Sequence, residues 1–386
     1  MTQSWLCQPK SGTIMRPLSF ALAQRTTFPL GLLLQFVRKP LNSTLVFCRP
    51  RRYWRYDMKT RAILITFLLL GCLGAAQSES VPKNLLGDWS LNLDSGEPAW
   101  MSVGETEVRM RIYVGSEGPF KIAKVAKGRI HFTAQRKRRK KVGKGFIRRD
   151  VEVGVTHGAL DGVIIHTPNN GGEVSRVHFT GKRIPPMPKS PPDLSKVRFG
   201  HPVSLFNGRD LAGWRAHEKD KKYGWSVKDG LLVNETPKTD FSATGDHANL
   251  RTDAEFEDFW LHAEFLIEAQ RNSGIYLRGM YEAQVVDRDS RMQGIQGPGA
   301  IFSRIAPSRN AANPPGEWNT YDITLVSRHV TVVLNGVKVI DNQPIIGPTG
   351  GAIKTDPMAP GPIYLQGDHT AVKYRNIYLA PVLDGE

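Results

Sequence analysis

Four stretches in the C-terminal half carry acid–base side chains at alternate positions. In 260–267 the apolar set Leu261, Ala263, Phe265 and Ile267 leaves His262 and Glu264 on the other parity. In 273–279, Ile275 and Leu277 leave Tyr276 and Arg278; in 281–285, Ala283 and Val285 leave Glu282 and Gln284. In 363–369, Ile363 and Leu365 leave Tyr364, Gln366 and Asp368, with His369 at the strand end. Successive side chains of a strand point to opposite faces, so neighbouring strands that bury the apolar set would gather the polar set on one free face. That face carries Glu, Arg, Gln, Asp and His and almost no Lys, a composition suited to general acid–base work. His369 has the free pKa of a base near neutrality. Glu282 and Glu264 are candidate acids or second bases, and Arg278 is a cation for developing negative charge. Plainer readings stand beside these: Arg278 and Glu282 as a cross-strand ion pair, and His369 as a cap on the turn after Gly367.

The same residues leave metal binding open. Asp287, Asp289 and Glu282 offer carboxylates to a hard divalent cation such as calcium, although without a loop template. His369, Asp368, Glu264 and Glu282 offer a mixed set to a transition ion. No cofactor is fixed by the sequence.

The elements that position these groups read as strands. Residues 199–382 alternate apolar and polar residues, with turn chemistry every 8–14 residues. Asn335-Gly336 is the strongest hairpin signal, joining 329–334 to 337–341 through a type I′ turn. A short helix is conceivable only around 253–258. About 185 residues of short strands predict a two-sheet sandwich or jelly roll. Trp214 and Trp225 sit beside turns, as core anchors do.

Residues 84–183 alternate likewise, as in Val108-Arg-Met110-Arg-Ile112, and six to eight strands predict a small barrel. Turn signals lie at Asp94-Ser-Gly96, Lys127-Gly128 and Asp161-Gly162. Gly87-Asp88-Trp89 resembles the opening of lipocalin-like barrels. Between the two, 184–198 begins IPPMPKSPP and predicts a stiff, Pro-rich linker.

The formal charge of +16 is unevenly placed: residues 191–386 carry 21 basic and 24 acidic side chains. The half with the candidate chemistry is slightly acidic, which argues against nucleic acid as its partner. Nine basic residues fall within 136–149. They suit an anionic glycan or, more plainly, a solvated hairpin loop; Phe146 is the one aromatic there, which supports a single-stranded nucleic acid poorly.

Met58-Lys-Thr-Arg61 followed by AILITFLLLGCLGAA has the basic, apolar and small-residue parts of a signal peptide at 58–76. Its internal position predicts that Met58 is the true start and that 1–57 is a mis-called extension. Leu69-Leu70-Gly71-Cys72 resembles a lipobox, with Cys72 as a lipidation site. On either reading the protein is exported to the periplasm, envelope or exterior, with no integral membrane domain left after cleavage. The three cysteines all lie at or before position 72, so disulfides, Cys-zinc sites and Cys nucleophiles are excluded from the rest.

Seven separated motifs carry a resemblance. They are Phe206-Asn-Gly-Arg-Asp-Leu-Ala-Gly-Trp214, Trp225-Ser-Val-Lys-Asp-Gly230, the 256–265 stretch, Asn272-Ser-Gly-Ile-Tyr-Leu-Arg278, Tyr281-Glu-Ala-Gln284, Gly316-Glu-Trp-Asn319, and Gly361-Pro-Ile-Tyr-Leu-Gln366 with Asp368-His369. In this order they resemble the 3-keto-disaccharide hydrolases, or 3-keto-glucoside lyase/hydratases, a family first described as a domain of unknown function. The resemblance implies a concanavalin-like jelly roll acting on sugars oxidised at C3. The C3 carbonyl acidifies the C2 hydrogen, so a base, an enolate stabiliser and an acid suffice to expel the C1 aglycone, and water then adds back. Under that chemistry His369 is the base, Glu282 and Glu264 serve as acids, and Arg278 holds the enolate. Gln284, Gln366, Asp368 and Asn319 are candidate partners of sugar hydroxyls, and Trp318 or Tyr276 is a stacking face. The competing function is a non-catalytic carbohydrate-binding module, because the same fold often only binds sugars.

Overall fold

The computed structural model describes residues 79–383 except 114, 135–146, 170 and 238–244. The signal-like segment 58–76 with Cys72, the preceding extension and most of the basic 136–149 run therefore lie outside the described residues. The described residues belong to one compact unit. No helix among the described residues is long and apolar enough to cross a membrane.

Eight antiparallel strands come first: β1 (Gly87–Leu93), β2 (Pro98–Val103), β3 (Glu107–Ile112), β4 (Phe120–Ala126), β5 (Arg129–Thr133), β6 (Ile147–Thr156), β7 (Ala159–Pro168) and β8 (Ser175–Arg183). β1 pairs with both β2 and β8, which closes the barrel. Its interior is filled by its own apolar parity, including Trp89, Met101, Met110, Phe132, Leu160 and Phe179. Lys127 and Gly128 both take positive φ and turn β4 into β5, as their types require. Asp161-Gly162 is different: it lies within β7, and the turn falls at His157-Gly158. Gly162 is there for space, since a Cβ would sit 2.3 Å from the Phe179 ring.

The second half is a two-sheet sandwich. Its strands are β9 (Val203–Ser204), β10 (Trp214–Ala216), β11 (Trp225–Lys228), β12 (Leu231–Asn234), β13 (Leu250–Thr252), β14 (Phe259–Leu266), β15 (Asn272–Leu277), β16 (Tyr281–Val286), β17 (Trp318–Val326), β18 (His329–Leu334), β19 (Val337–Pro344), β20 (Tyr364–Leu365) and β21 (Val372–Pro381). One sheet has five strands, ordered β10-β13-β20-β15-β16. The other runs β11-β12-β21-β14-β17-β18-β19, with β9 on β21. Asn335 and Gly336 take φ of 51° and 76°, the two positive values of a type I′ hairpin. The 253–258 segment is not helical; Phe256 bridges to Gly361 instead, as the chain crosses from β13 in one sheet to β14 in the other.

The Pro-rich segment does not run free as a spacer. Arg328 donates to the carbonyls of Pro185 and Pro186, and Asn342 Nδ2 donates to the Pro192 carbonyl at 2.8 Å. A short 3-10 turn at Leu194–Lys196 follows, capped by Asp193.

Candidate active site

The register of the five-stranded sheet builds the site row by row. Directly opposed residues of an antiparallel pair share a face. Leu250, Leu365, Ile275 and Ala283 stand opposite one another and point into the sandwich core. The next row, Arg251–Tyr364–Tyr276–Glu282, therefore points to the other face. One step further along the strands, Gln366 and Gln284 flank Gly274 on that same face.

This face is covered. Glu282 is 4% exposed, Tyr276 and Gln284 are fully buried, and Gln366 and Asp368 are 8% exposed. Gly274 is the reason Glu282 fits: a Cβ at 274 would lie 2.5 Å from the Glu282 carboxylate, so the side chain crosses the strand over a bare backbone. A glycine-rich loop covers the other side. Thr349 Oγ1 accepts from the Glu282 amide at 3.0 Å, and the Tyr276 hydroxyl donates to the Gly350 carbonyl at 2.7 Å. Gln284 Nε2 donates to the Gln296 carbonyl at 3.1 Å, and Gln366 Nε2 donates to the Tyr276 hydroxyl at 3.3 Å. Both glutamines are left with a buried side-chain oxygen that has no partner. A buried acceptor without a donor is costly, and a ligand hydroxyl would satisfy it.

Electrostatics single out Glu282. Burial pushes its carboxyl up to about 8; the Tyr276 hydroxyl opposes this, nearby Asp368 adds to it and Arg111 opposes it. At neutral pH Glu282 is mainly a proton donor. Asp368 is held by Asn249, whose Oδ1 accepts from its amide, and its own Oδ1 meets His369 Nδ1 at 2.6 Å. A carboxylate on Nδ1 fixes the ring and leaves Nε2 as the working nitrogen. Beyond Tyr364, His217 packs edge-on at 5.6 Å, and burial lowers its pKa. Glu218 holds Asn249 through both its backbone and side-chain amides.

Tyr276, Glu282, Gln284, Gln366, Asp368 and His369 are thus brought together on one sheet and at its end. The expectation that four strands share this face is corrected to three. β14 belongs to the other sheet, so Glu264 faces away from the site and pairs with Arg375 Nε and Asn376 Nδ2, each at 2.7 Å. Trp318 lies on that same outer face, under the Arg375 guanidinium at 4.0 Å. Asn319 is spent on its own loop, accepting from the Asn313 amide and from Asn335 Nδ2, both at 2.8 Å. Arg278 lies past the end of β15 at φ 56°, where strand parity stops. It is 2% exposed and donates to the carbonyls of Pro357 and Ala359 at 2.8 and 2.6 Å, with Asp258 at 3.6 Å, not Glu282.

The carboxylates suggested for a cation do not gather. Asp287 accepts the amides of Gln270 and Asp289, Asp289 pairs with Arg288, and Glu264 is on the opposite sheet. Among the described residues no group of three or more His, Cys, Asp or Glu is placed to hold a metal ion.

Sequence reading missed Asn249, Thr349, Glu218 and the barrel's Arg111. Asn249 and Arg251 alternate with buried Leu250, a weak signal in a three-residue strand. Arg111 is polar on an outward parity of a barrel strand, and nothing in the sequence says that a second fold covers it.

Residues 201–380 match the family described as the 3-keto-alpha-glucoside-1,2-lyase-like domain. Among solved structures, two candidate glycosyl hydrolases from Parabacteroides distasonis resemble the chain. One is 25% identical over 47% of this chain and 94% of that one, with a TM-score of 0.39; the other is 28% identical over 51% and 93%, with a TM-score of 0.38. The carbohydrate-binding module CBM66 of Bacillus subtilis is 13% identical over 43% and 93%, with a TM-score of 0.30. A search of curated proteins finds no match. The family match covers the sandwich, a little under half of the chain, and supports a carbohydrate-active enzyme.

Proposed function

We propose that the protein is an exported enzyme that cleaves 3-keto-glycosides by elimination and then hydration. The observation that carries this reading is the buried Glu282, protonated near neutrality, on one face with the Asp368–His369 pair and two glutamine oxygens that lack partners. His369 Nε2 takes the C2 proton, and the C–H electrons pass into the C2–C3 bond and onto the C3 oxygen. Asp368 stabilises the resulting imidazolium. As the C3 carbonyl re-forms, a C1–C2 double bond replaces the bond from C1 to the aglycone. Glu282 gives its proton to the departing oxygen. Its carboxylate then takes a proton from water as hydroxide adds to C1, and His369 returns the proton to C2. Gln284 and Gln366 receive sugar hydroxyls. Export rests on the 58–76 pattern in the sequence.

The test is turnover of 3-keto-trehalose and 3-keto-glucosides by the purified protein, with release of free sugar or of the unsaturated 3-keto product as readout. Glu282→Gln and His369→Ala are each expected to lower kcat about 10²–10⁴-fold. Saturable binding of these sugars by the wild type without any product would replace this reading with a carbohydrate-binding module. Activity of His369→Ala near wild type would remove the base from His369.

A further inference from the structure

The barrel's interior holds its own hydrophobic core. Its outward face is another matter. Trp100 on β2 and Arg111 on β3 are 2% and 8% exposed, although barrel parity turns Arg111 outward. What buries them is the glycine-rich loop over the active site. A Cβ at Gly347 would meet the Trp100 ring at 3.0 Å, and one at Gly350 would meet an Arg111 guanidinium nitrogen at 3.1 Å. On the same loop, a Cβ at Gly351 would lie 2.7 Å from the Tyr276 hydroxyl. The loop thus touches the barrel through Trp100 and Arg111 and the candidate site through Tyr276.

Glu117 ties this arrangement together. It pairs with Arg111 within the barrel and with Arg304 of the sandwich, whose Nη2 and Nε donate to the carbonyls of Pro348 and Gly347. Ser90–Thr355 at 2.9 Å and Lys182–Asp356 at 2.7 Å fasten the loop further on. Beyond the end of β3, Tyr113 takes φ 45°, a conformation that bulky residues rarely adopt. There its hydroxyl reaches Tyr364, with Asp368 and Glu218 close by.

We propose that β3 and Tyr113 just beyond it form a wall of the substrate site: Arg111 supplies the positive charge beside Glu282, and Tyr113 lies over Asp368 and Tyr364, so a bound sugar touches barrel and sandwich together. The proposal rests on the 3-keto-glycoside reading for the substrate alone. It also supplies the cation left vacant by Arg278, which is occupied elsewhere. The charged and titratable groups facing Glu282 are Tyr276 from β15, Asp368 from the turn after β20, Arg111 from β3 and Tyr374 from β21.

The test uses the full chain with Arg111→Met, Arg111→Lys and Tyr113→Phe, and Lys182→Met as a control at the rim. Two readouts are taken: kcat and KM on 3-keto-glucosides, and a carbon-13 carboxyl titration of Glu282. Arg111→Met is expected to lower kcat/KM at least about tenfold and to move the Glu282 titration upward. Arg111→Lys keeps the charge and should return the titration towards wild type. Tyr113→Phe should raise KM several-fold with a smaller change in kcat, and Lys182→Met should change neither readout. An unchanged Glu282 titration in Arg111→Met overturns the proposal, whatever the enzyme turns over. So does kcat/KM within about twofold of wild type in both Arg111→Met and Tyr113→Phe. A wild type inactive on 3-keto-glycosides refutes the substrate reading instead, and the titration still decides Arg111.

Discussion

Glu282 sits where its ionisation is disfavoured, and the consequence reaches the stability of the fold. Its carboxyl is raised from 4.5 to about 8, so the folded protein holds a proton that the unfolded chain releases in this window. Stability contributed by the neutral acid is fully present below about pH 4.5 and is lost as pH rises through about 8. Glu282→Gln removes that loss. Its melting temperature should match wild type near pH 4.5 and exceed it by about 5 °C or more at pH 9, measured by calorimetry across the range. A constant difference at all pH values would show that Glu282 is not held neutral in the fold. Strand parity already marked Glu282 in the sequence as a polar residue facing away from the core, and the tight space over Gly274 gave that position its burial.

At the scale of elements, the end of β15 separates two arginine roles. Arg278 resembles a catalytic cation in sequence because it continues the alternation of Tyr276. The strand ends at Leu277, however, and at φ 56° the side chain swings to the 357–361 turn. Gly361 confirms the crowding, since a Cβ there would be 2.2 Å from the Arg278 carbonyl. Arg278→Met leaves the Pro357 and Ala359 carbonyls without their donor and should cost about 2–4 kcal/mol of stability, read by denaturant unfolding. Turnover per folded molecule should stay within about threefold of wild type. A large fall in kcat with unchanged stability would return Arg278 to the catalytic set. β14 teaches the same lesson for Glu264: its parity was legible, while its sheet was not.

For the whole molecule, barrel and sandwich have separate hydrophobic cores but one shared seam. Trp100 lies in that seam, packed on the glycine-rich loop at Gly347. Trp100→Ala should cost about 3–5 kcal/mol, concentrated in the coupling of the two halves. Calorimetry is expected to show unfolding split into two transitions where the wild type shows one. A single transition, merely shifted down, would mean that Trp100 supports only the barrel.

The two all-β halves, the Asn335-Gly336 hairpin, the core parity of the strands and the family motifs are legible in the residues themselves. These follow from local rules: alternation every second residue, and turn residues that tolerate positive φ. Alternation also put Glu282 and Gln284 on the polar parity of β16 and Tyr364 on that of β20, whereas Gln366 and Asp368 fall beyond the two residues of β20 and are placed by the turn after it. Tertiary structure alone decided which strands became neighbours, and so removed Glu264, Trp318 and Asn319 from the site and brought in Arg111 and Tyr113 from about 170 residues away in the chain. Parity is set within a strand by backbone geometry, whereas sheet membership depends on long-range pairing that no local alternation encodes.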